Sequence, residues 1–180
     1  FGSEVSKSAV YIQNDKIMCR MRNTTTEVIA VNEIHLIGKH NLQNVMAAVA
    51  VCSIVGVDNE TMRNAITAFK PPEHRIEYVD TIDGISYYND SKATNPDSTI
   101  CALNGFIENR VVLIAGGRDK GTDLSQMVEA VKNSAAAVVL IGEASDRFEN
   151  ALREGGYHNI LRANSLEEAV DTAADLKLGD

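Results

Sequence analysis

Residues 89–95, Asn-Asp-Ser-Lys-Ala-Thr-Asn, place an acid, an amine, two amides and two hydroxyls in one short stretch. Lys92 offers a mobile positive charge and Thr94 a hydroxyl. A helix starting at Pro96 would add the positive end of its dipole, so the stretch suits phosphate, metal-linked phosphate or carboxylate. The same residues also make an ordinary polar loop in which Asn95 caps that helix, and physics alone favours this plainer role. A second loop, Gly116-Gly117-Arg118-Asp119-Lys120-Gly121, has three glycines that let backbone N–H groups approach an anion, with Arg118 and Lys120 adding charge. A plain strand-to-helix turn is the alternative. The loop is not G-x-G-x-x-G, so a dinucleotide fingerprint is not supported. Clustering favours an anionic ligand. In a chain of net charge −8, Arg75, Lys92, Arg118 and Lys120 all fall on predicted strand ends or adjoining loops.

Other polar residues are less telling. Asn41 and Asn44 lie at a predicted helix start, where an amide can bond a base or ribose but more often caps. His74 beside Arg75 reads as a hinge contact or a solvated pair, the latter favoured, and His35 and His158 as structural or surface residues. No Ser-His-Asp or Cys-His arrangement has an identifying local signature. The P-loop pattern G-x-x-x-x-G-K-[ST] is also missing. Its nearest match, Gly38-Lys39-His40, has Glu33 in place of the first glycine and His40 in place of the hydroxyl.

Bulk properties narrow the classes further. Of 180 residues, 44% are hydrophobic and 23% charged, which supports a folded core rather than disorder. The acidic balance argues against nucleic-acid binding, and no apolar run approaches the roughly 18 residues of a membrane span. No secretory signal is visible. Cys19, Cys52 and Cys101 are odd in number and widely spaced, with no metal-like pair or disulfide framework, so a cytoplasmic setting is expected. The chain opens on Phe1 and closes on Asp180 after a helix-like run. It reads as a fragment of a longer protein.

The elements that must position these loops fall in two parts. In the first, Ala9–Ile12 and Ile17–Met21 flank an Asn14-Asp15 turn, and residues 28–37 suggest one or two further strands. Leu42, Val45, Met46, Val49 and Cys52 then recur at helical spacing, which predicts a helix over 41–55 stopped by Gly56. Asp58 can cap a second helix to about Phe69. Pro71-Pro72 forbids helix and marks a boundary, giving domains 1–72 and 73–180.

In the second part, strands at 75–81 and 85–89 flank the hairpin signal Asp83-Gly84. Asn95-Pro96 starts a helix ending near Gly105. Val111–Ala115 and Ala136–Ile141 read as strands buried on both faces. Helices follow them over about 123–133 and 145–154. A short strand at 159–162 precedes a last helix with a Ser165/Glu168 capping box. This alternation predicts a mostly parallel, doubly wound sheet with both charged loops at strand carboxyl ends.

With these residues together, the chain resembles the Mur ligases, and among them the members that add D-glutamate. The resemblance is carried by His40-Asn41-Leu42-Gln43-Asn44 with Ala47-Ala48, by His74-Arg75, by residues 89–95 and by residues 116–121, in family order. It covers essentially the whole chain, most specifically 36–125. It implies an α/β architecture: residues 1–72 as a truncated β-then-α end of a central ATP-binding domain, and residues 73–180 as most of a Rossmann-like carboxy-terminal domain.

The implied activity is ATP-dependent amide formation between UDP-N-acetylmuramoyl-L-alanine and D-glutamate in peptidoglycan synthesis, with Mg2+ neutralising the phosphates. By the same resemblance, Asn44 and Asn41 face the adenine side of ATP, Arg75 its phosphates and Asp90 its ribose. Lys92 and Thr94 lie by the reacting carboxylate and D-glutamate, with Lys120 and Arg118 on the substrate side. Metal ligands are expected mainly outside this chain, and the isolated chain is expected to be inactive for want of a P-loop. A folylpolyglutamate-synthase-like ligase and a non-catalytic Rossmann-like nucleotide- or partner-binding module are the other readings.

Overall fold

Two positive-φ residues, Asn14 (φ 50°) and Asp15 (φ 56°), turn strand β1 (Val10–Gln13) back onto β2 (Lys16–Met21). This is the type I′ geometry that matches strand twist. The computed structural model describes residues 9–106, 110–118 and 120–176. The two chain ends and Asp119, in the second charged loop, lie outside them. The chain forms two compact units, Phe1–Pro72 and Glu73–Asp180.

In the first unit β3 (Thr24–Ala30) completes an antiparallel sheet in the order β1-β2-β3. The expected strand over 28–37 instead starts earlier and stops at Ala30. Its partner β2 begins at Lys16, so the ladder ends there. The chain turns into a 3-10 segment, Val31–Glu33, in which Ile34 N–H donates to the Val31 carbonyl. Pairing passes from Ile17↔Ile29 to Met18↔Glu27, leaving Val28 as a bulge. This irregularity accounts for two consecutive buried residues, Val28 and Ile29.

Helix α1 (Lys39–Ile54) lays Val45, Met46 and Val49 over this core. It closes at Gly56 with Val57 N–H donating to Cys52 O and Gly56 N–H to Ser53 O, a Schellman arrangement. Cys52 is half-buried against the same core. Helix α2 (Asn59–Ala68) is capped by Asp58, which accepts from Thr61 N–H at 2.9 Å, and adds Met62 to the core.

The second unit begins with β4 (Glu77–Ile82) and β5 (Ile85–Asn89), joined through Asp83 (φ 51°) and Gly84 (φ 83°). Strand β4 starts two residues later than expected because His74 (φ 66°) and Ile76 (φ 44°) are left-handed. Helix α3 (Pro96–Leu103) follows with Asn95 as its cap. The parallel sheet then has the order β6 (Val111–Gly116), β7 (Ala135–Ile141), β8 (Ile160–Arg162).

Alternation along β7 explains the layers. Val138 and Leu140 face a core with Leu103 of α3, Val128 and Val131 of α4 (Ser125–Ser134) and Leu152 of α5 (Ser145–Glu154). Val139 faces the opposite way, toward Ala169 of α6 (Leu166–Asp175), with Val112 and Ile114 alongside. Helices thus cover both faces, as a parallel sheet requires.

Two expectations change. Strands β4 and β5 pair only with each other among the described residues, so loop 89–95 leaves an antiparallel hairpin rather than the parallel sheet. The capping box at α6 is displaced. Ser165 Oγ accepts from Glu168 N–H, but the Glu168 carboxylate accepts from Asn164 N–H at 2.8 Å, one residue earlier.

An ionic group ties β8 to α5. Glu149 accepts from Arg153 at 2.8 Å and Arg162 at 2.6 Å, and Arg162 also reaches Asp146 at 2.6 Å. Bonds to Arg153 and then Arg162 hold the Glu149 carboxyl below its ordinary value of 4.5. A depressed carboxylate contributes stability that is present above its unfolded pKa and is lost as pH falls through its folded one. Arg162→Gln is therefore expected to lower the urea midpoint at pH 7, with the deficit shrinking as pH falls below about 4. A deficit unchanged between pH 7 and pH 3 would contradict this account.

Candidate functional site

The hairpin register builds the site. It pairs Glu77 with Asn89 and so brings residues 74–76 beside the chain leaving β5. His74 O accepts from Lys92 N–H at 3.0 Å, and Ile76 N–H donates to Asp90 Oδ1 at 3.0 Å. Within the loop, Ala93 N–H donates to Asp90 O at 2.8 Å and Thr94 N–H to Lys92 O at 2.9 Å. Asn95 Oδ1 accepts from Ser98 N–H at 2.8 Å, fixing where α3 begins. The cap and the charged loop are therefore one structure rather than alternatives.

The second loop reaches the first. Lys120 Nζ donates to Thr94 O at 3.0 Å. Its base is set by glycine. A Cβ on Gly116 (φ 153°) would lie 1.8 Å from Ile141 O. Gly117 N–H donates to that same carbonyl at 3.1 Å, and Ala144 N–H to Gly117 O at 3.0 Å, so the carboxyl ends of β6 and β7 interlock.

The predicted residues fall into groups. Lys92, Thr94, Asp90 and Lys120 are joined through the bonds above. Arg75 sits between the two left-handed residues, exposed, and Arg118 is exposed on the second loop. Arg75, Arg118 and Lys92 make no side-chain bond or ion pair with other described residues. Exposed, uncommitted cations on an acidic chain present a surface for an anion.

Asn41 and Asn44 belong to the first unit. The Asn41 amide donates to Ile37 O at 2.8 Å, which anchors the helix start, while Asn44 is exposed and reaches Asn41 Oδ1 only at 3.5 Å. An open groove of about 720 Å3 between α4 and α5 has Asp123, Asp146, Arg147 and Glu154 among its lining and contains none of these site residues.

His74 is exposed beside Arg75, as read from the sequence, and it also makes bonds that the sequence did not announce. Its Nδ1 lies 2.8 Å from Asn89 Nδ2, its N–H donates to Glu77 Oε2 at 2.7 Å, and its carbonyl holds Lys92. The two-residue turn at Asp83-Gly84 would by itself pair Glu77 with Asp90; a bulge at Val79 shifts the register so that Glu77 faces Asn89, and no local signal announced it.

Residues 74–180 match the family described as Mur ligase, glutamate ligase domain. A protein of Lachnoclostridium phytofermentans named UDP-N-acetylmuramoylalanine–D-glutamate ligase is 40% identical over 166 residues, covering 92% of this chain and 36% of that protein. A Clostridioides difficile protein of the same name is 37% identical over 172 residues, covering 95% of this chain and 38% of its own length.

Among solved structures, MurF from Acinetobacter baumannii aligns with a TM-score of 0.64 at 18% identity, over 96% of this chain and 39% of that one. Mycobacterium tuberculosis folylpolyglutamate synthase complexed with ADP aligns with a TM-score of 0.67 at 20% identity, over 89% of this chain and 37% of that one. These two likenesses speak to fold alone.

Proposed function

Since the chain belongs to the Mur ligase family, in its glutamate ligase domain over residues 74–180, we propose that it is part of an ATP-dependent amide ligase joining D-glutamate to UDP-N-acetylmuramoyl-L-alanine. The observation that carries this reading is identity of 37–40%, over more than nine-tenths of the chain, to proteins named for that reaction. Folylpolyglutamate synthase shares the fold at only 20% identity.

The proposed reaction has two steps. The terminal phosphoryl of ATP passes to the substrate carboxylate, giving an acyl phosphate and ADP. The D-glutamate amine then attacks the acyl carbon, the amide C–N bond forms, and phosphate leaves. Such chemistry relies on positioning and charge stabilisation more than on covalent participation by the protein.

On this reading residues 1–72 belong to the central ATP-binding domain and residues 73–180 to the carboxy-terminal one. In the first unit Asn44 addresses the adenine side of ATP. Asn41, already bonded to Ile37, supports that helix start. In the second unit Arg75 meets the phosphates and Asp90 the ribose, while Lys92 and Thr94 serve the reacting carboxylate. Lys120 and Arg118 take the D-glutamate carboxylates.

Among the described residues no three His, Cys, Asp or Glu side chains converge as a metal ion would need. No step through magnesium is assigned to this chain. Curated relatives are matched over only 36–39% of their length, so the activity proposed is that of the intact ligase, and the piece alone, with no P-loop, is proposed to be inactive. Among the described residues no helix is long and apolar enough to cross a membrane. The proposed site of action, the cytoplasm, follows from the family reading.

The test is phosphate release by the intact ligase. Turnover should require both UDP-N-acetylmuramoyl-L-alanine and D-glutamate. Lys120→Ala should raise the KM for D-glutamate at least about tenfold, as expected for loss of a charge-assisted contact, and the KM for ATP much less. Turnover with a folate in place of the nucleotide-sugar substrate, or equal effects on both KM values, would sink the reading.

A further inference from the structure

His74 and Asn89 stand out because their bonds serve each other and the loop rather than the fold's core. The Asn89 side chain is polarised by its surroundings. Its Oδ1 accepts from Ser91 N–H at 3.1 Å, so the amide turns Nδ2 toward the imidazole. An amide nitrogen only donates, so His74 Nδ1 is the acceptor in this bond. Glu77 Oε2 lies 3.5 Å from the same Nδ1 but is engaged by His74 N–H at 2.7 Å.

The backbone carries the same message. His74 and Ile76 are left-handed, a conformation rare for histidine and rarer for a β-branched residue. Each is pinned to the opposite side of the loop, His74 through Lys92 N–H and Asn89, Ile76 through Asp90. Strained backbone persists where surrounding bonds over-determine it. Exposed Arg75 lies between these two anchors.

We propose that His74 and Asn89 are a positioning pair, whose side-chain bond holds Arg75 on one side and the Asp90–Lys92 turn on the other in the relative placement that the anionic substrate requires. This rests on the ligase reading and deepens it. Neither residue need touch substrate. The pair acts through Arg75 and Lys92, the two cations it brackets.

The experiment uses the intact ligase with His74→Gly, His74→Asn, Asn89→Ala and the double variant His74→Gly/Asn89→Ala. Glycine relieves the left-handed backbone while removing the acceptor, and asparagine tolerates that backbone while restoring an acceptor near Nδ1. His74→Gly and Asn89→Ala should each lower kcat on the order of tenfold, with the thermal midpoint of His74→Gly undiminished. His74→Asn should recover most of kcat, and the double variant should be no worse than the worse single.

Wild-type kcat in His74→Gly, or losses that multiply in the double variant, would overturn the pair. Amide hydrogen exchange at Ser91 and Lys92 gives a readout independent of turnover. It should quicken on the order of tenfold in both single variants. Unchanged exchange overturns the pair even if the wild-type ligase is active. A wild-type protein without turnover refutes the ligase reading while the exchange result still decides the pair.

Discussion

Gly116→Ala is expected to destabilise the chain by about 3 kcal/mol or more, with a collapsed urea midpoint and little folded protein at 37 °C. The added Cβ would lie 1.8 Å from Ile141 O and 2.7 Å from Ile141 C. These are backbone atoms inside the sheet, so no flexible side chain can swing aside. The Ile141 carbonyl also accepts from Gly117 N–H, and Gly142 lies against Gly117 on its other side, a Cβ there meeting Gly117 N at 3.2 Å. Moving Gly116 therefore moves two loop starts together. The φ of 153° adds a backbone penalty for any L side chain.

Gly117→Ala provides the contrast. A Cβ there meets nothing within 4 Å, so only its φ of 102° opposes it, and the loss should be clearly smaller. Urea denaturation of the three proteins followed by circular dichroism decides. A Gly116→Ala midpoint within error of Gly117→Ala would remove the steric account. The effect reaches the site through Lys120, which stands four residues along the same loop and touches Thr94.

Much of this scaffold was legible because local signals and burial agree. The run Ala136–Ile141 reads as a strand buried on both faces, and Val138 and Val139 indeed face opposite cores. Asn95-Pro96 reads as a helix start, and the cap is made. What escaped depended on contacts distant in sequence. Ile76 is a β-branched residue whose propensity is extended, yet it sits at φ 44° because Asp90, fourteen residues on, takes its N–H. Val28 reads as part of a strand continuing to residue 37, but a bulge and the end of its partner strand stop the ladder at Ala30.

The candidate site was legible as two loops and four cations, not as an arrangement. Composition could say that Lys92 and Lys120 are cations near strand ends. Only the folded chain brings Lys120 to the Thr94 carbonyl. His74 is exposed, as a histidine beside an arginine suggests, but its contact with Asn89 comes only from the folded hairpin.

Lys92→Ala in the intact ligase is the variant expected to lose most activity: a fall in kcat on the order of 10²–10³, or about 2.7–4 kcal/mol of transition-state stabilisation. The backbone at this position is held on both sides, through Lys92 N–H to His74 O and Thr94 N–H to Lys92 O. The chain therefore delivers the residue to a fixed place, while its ammonium group has no partner among the described residues and is free to meet a ligand.

On the proposed reaction, negative charge grows on the carboxylate and phosphoryl oxygens during transfer. A preorganised cation there acts on the transition state more than on bound substrate. The loss should accordingly fall on kcat, with the KM for ATP changed little. Lys92→Arg keeps the charge but replaces a compact ammonium by a broad planar fork, so it should recover only part of the rate. Stability should barely move, because an exposed lysine without a salt bridge contributes little to folding. Steady-state kinetics beside a thermal melt separate these outcomes. If Lys92→Ala raised only the KM for D-glutamate, the residue would be a binding contact like Lys120 and its assigned place by the reacting carboxylate would be wrong.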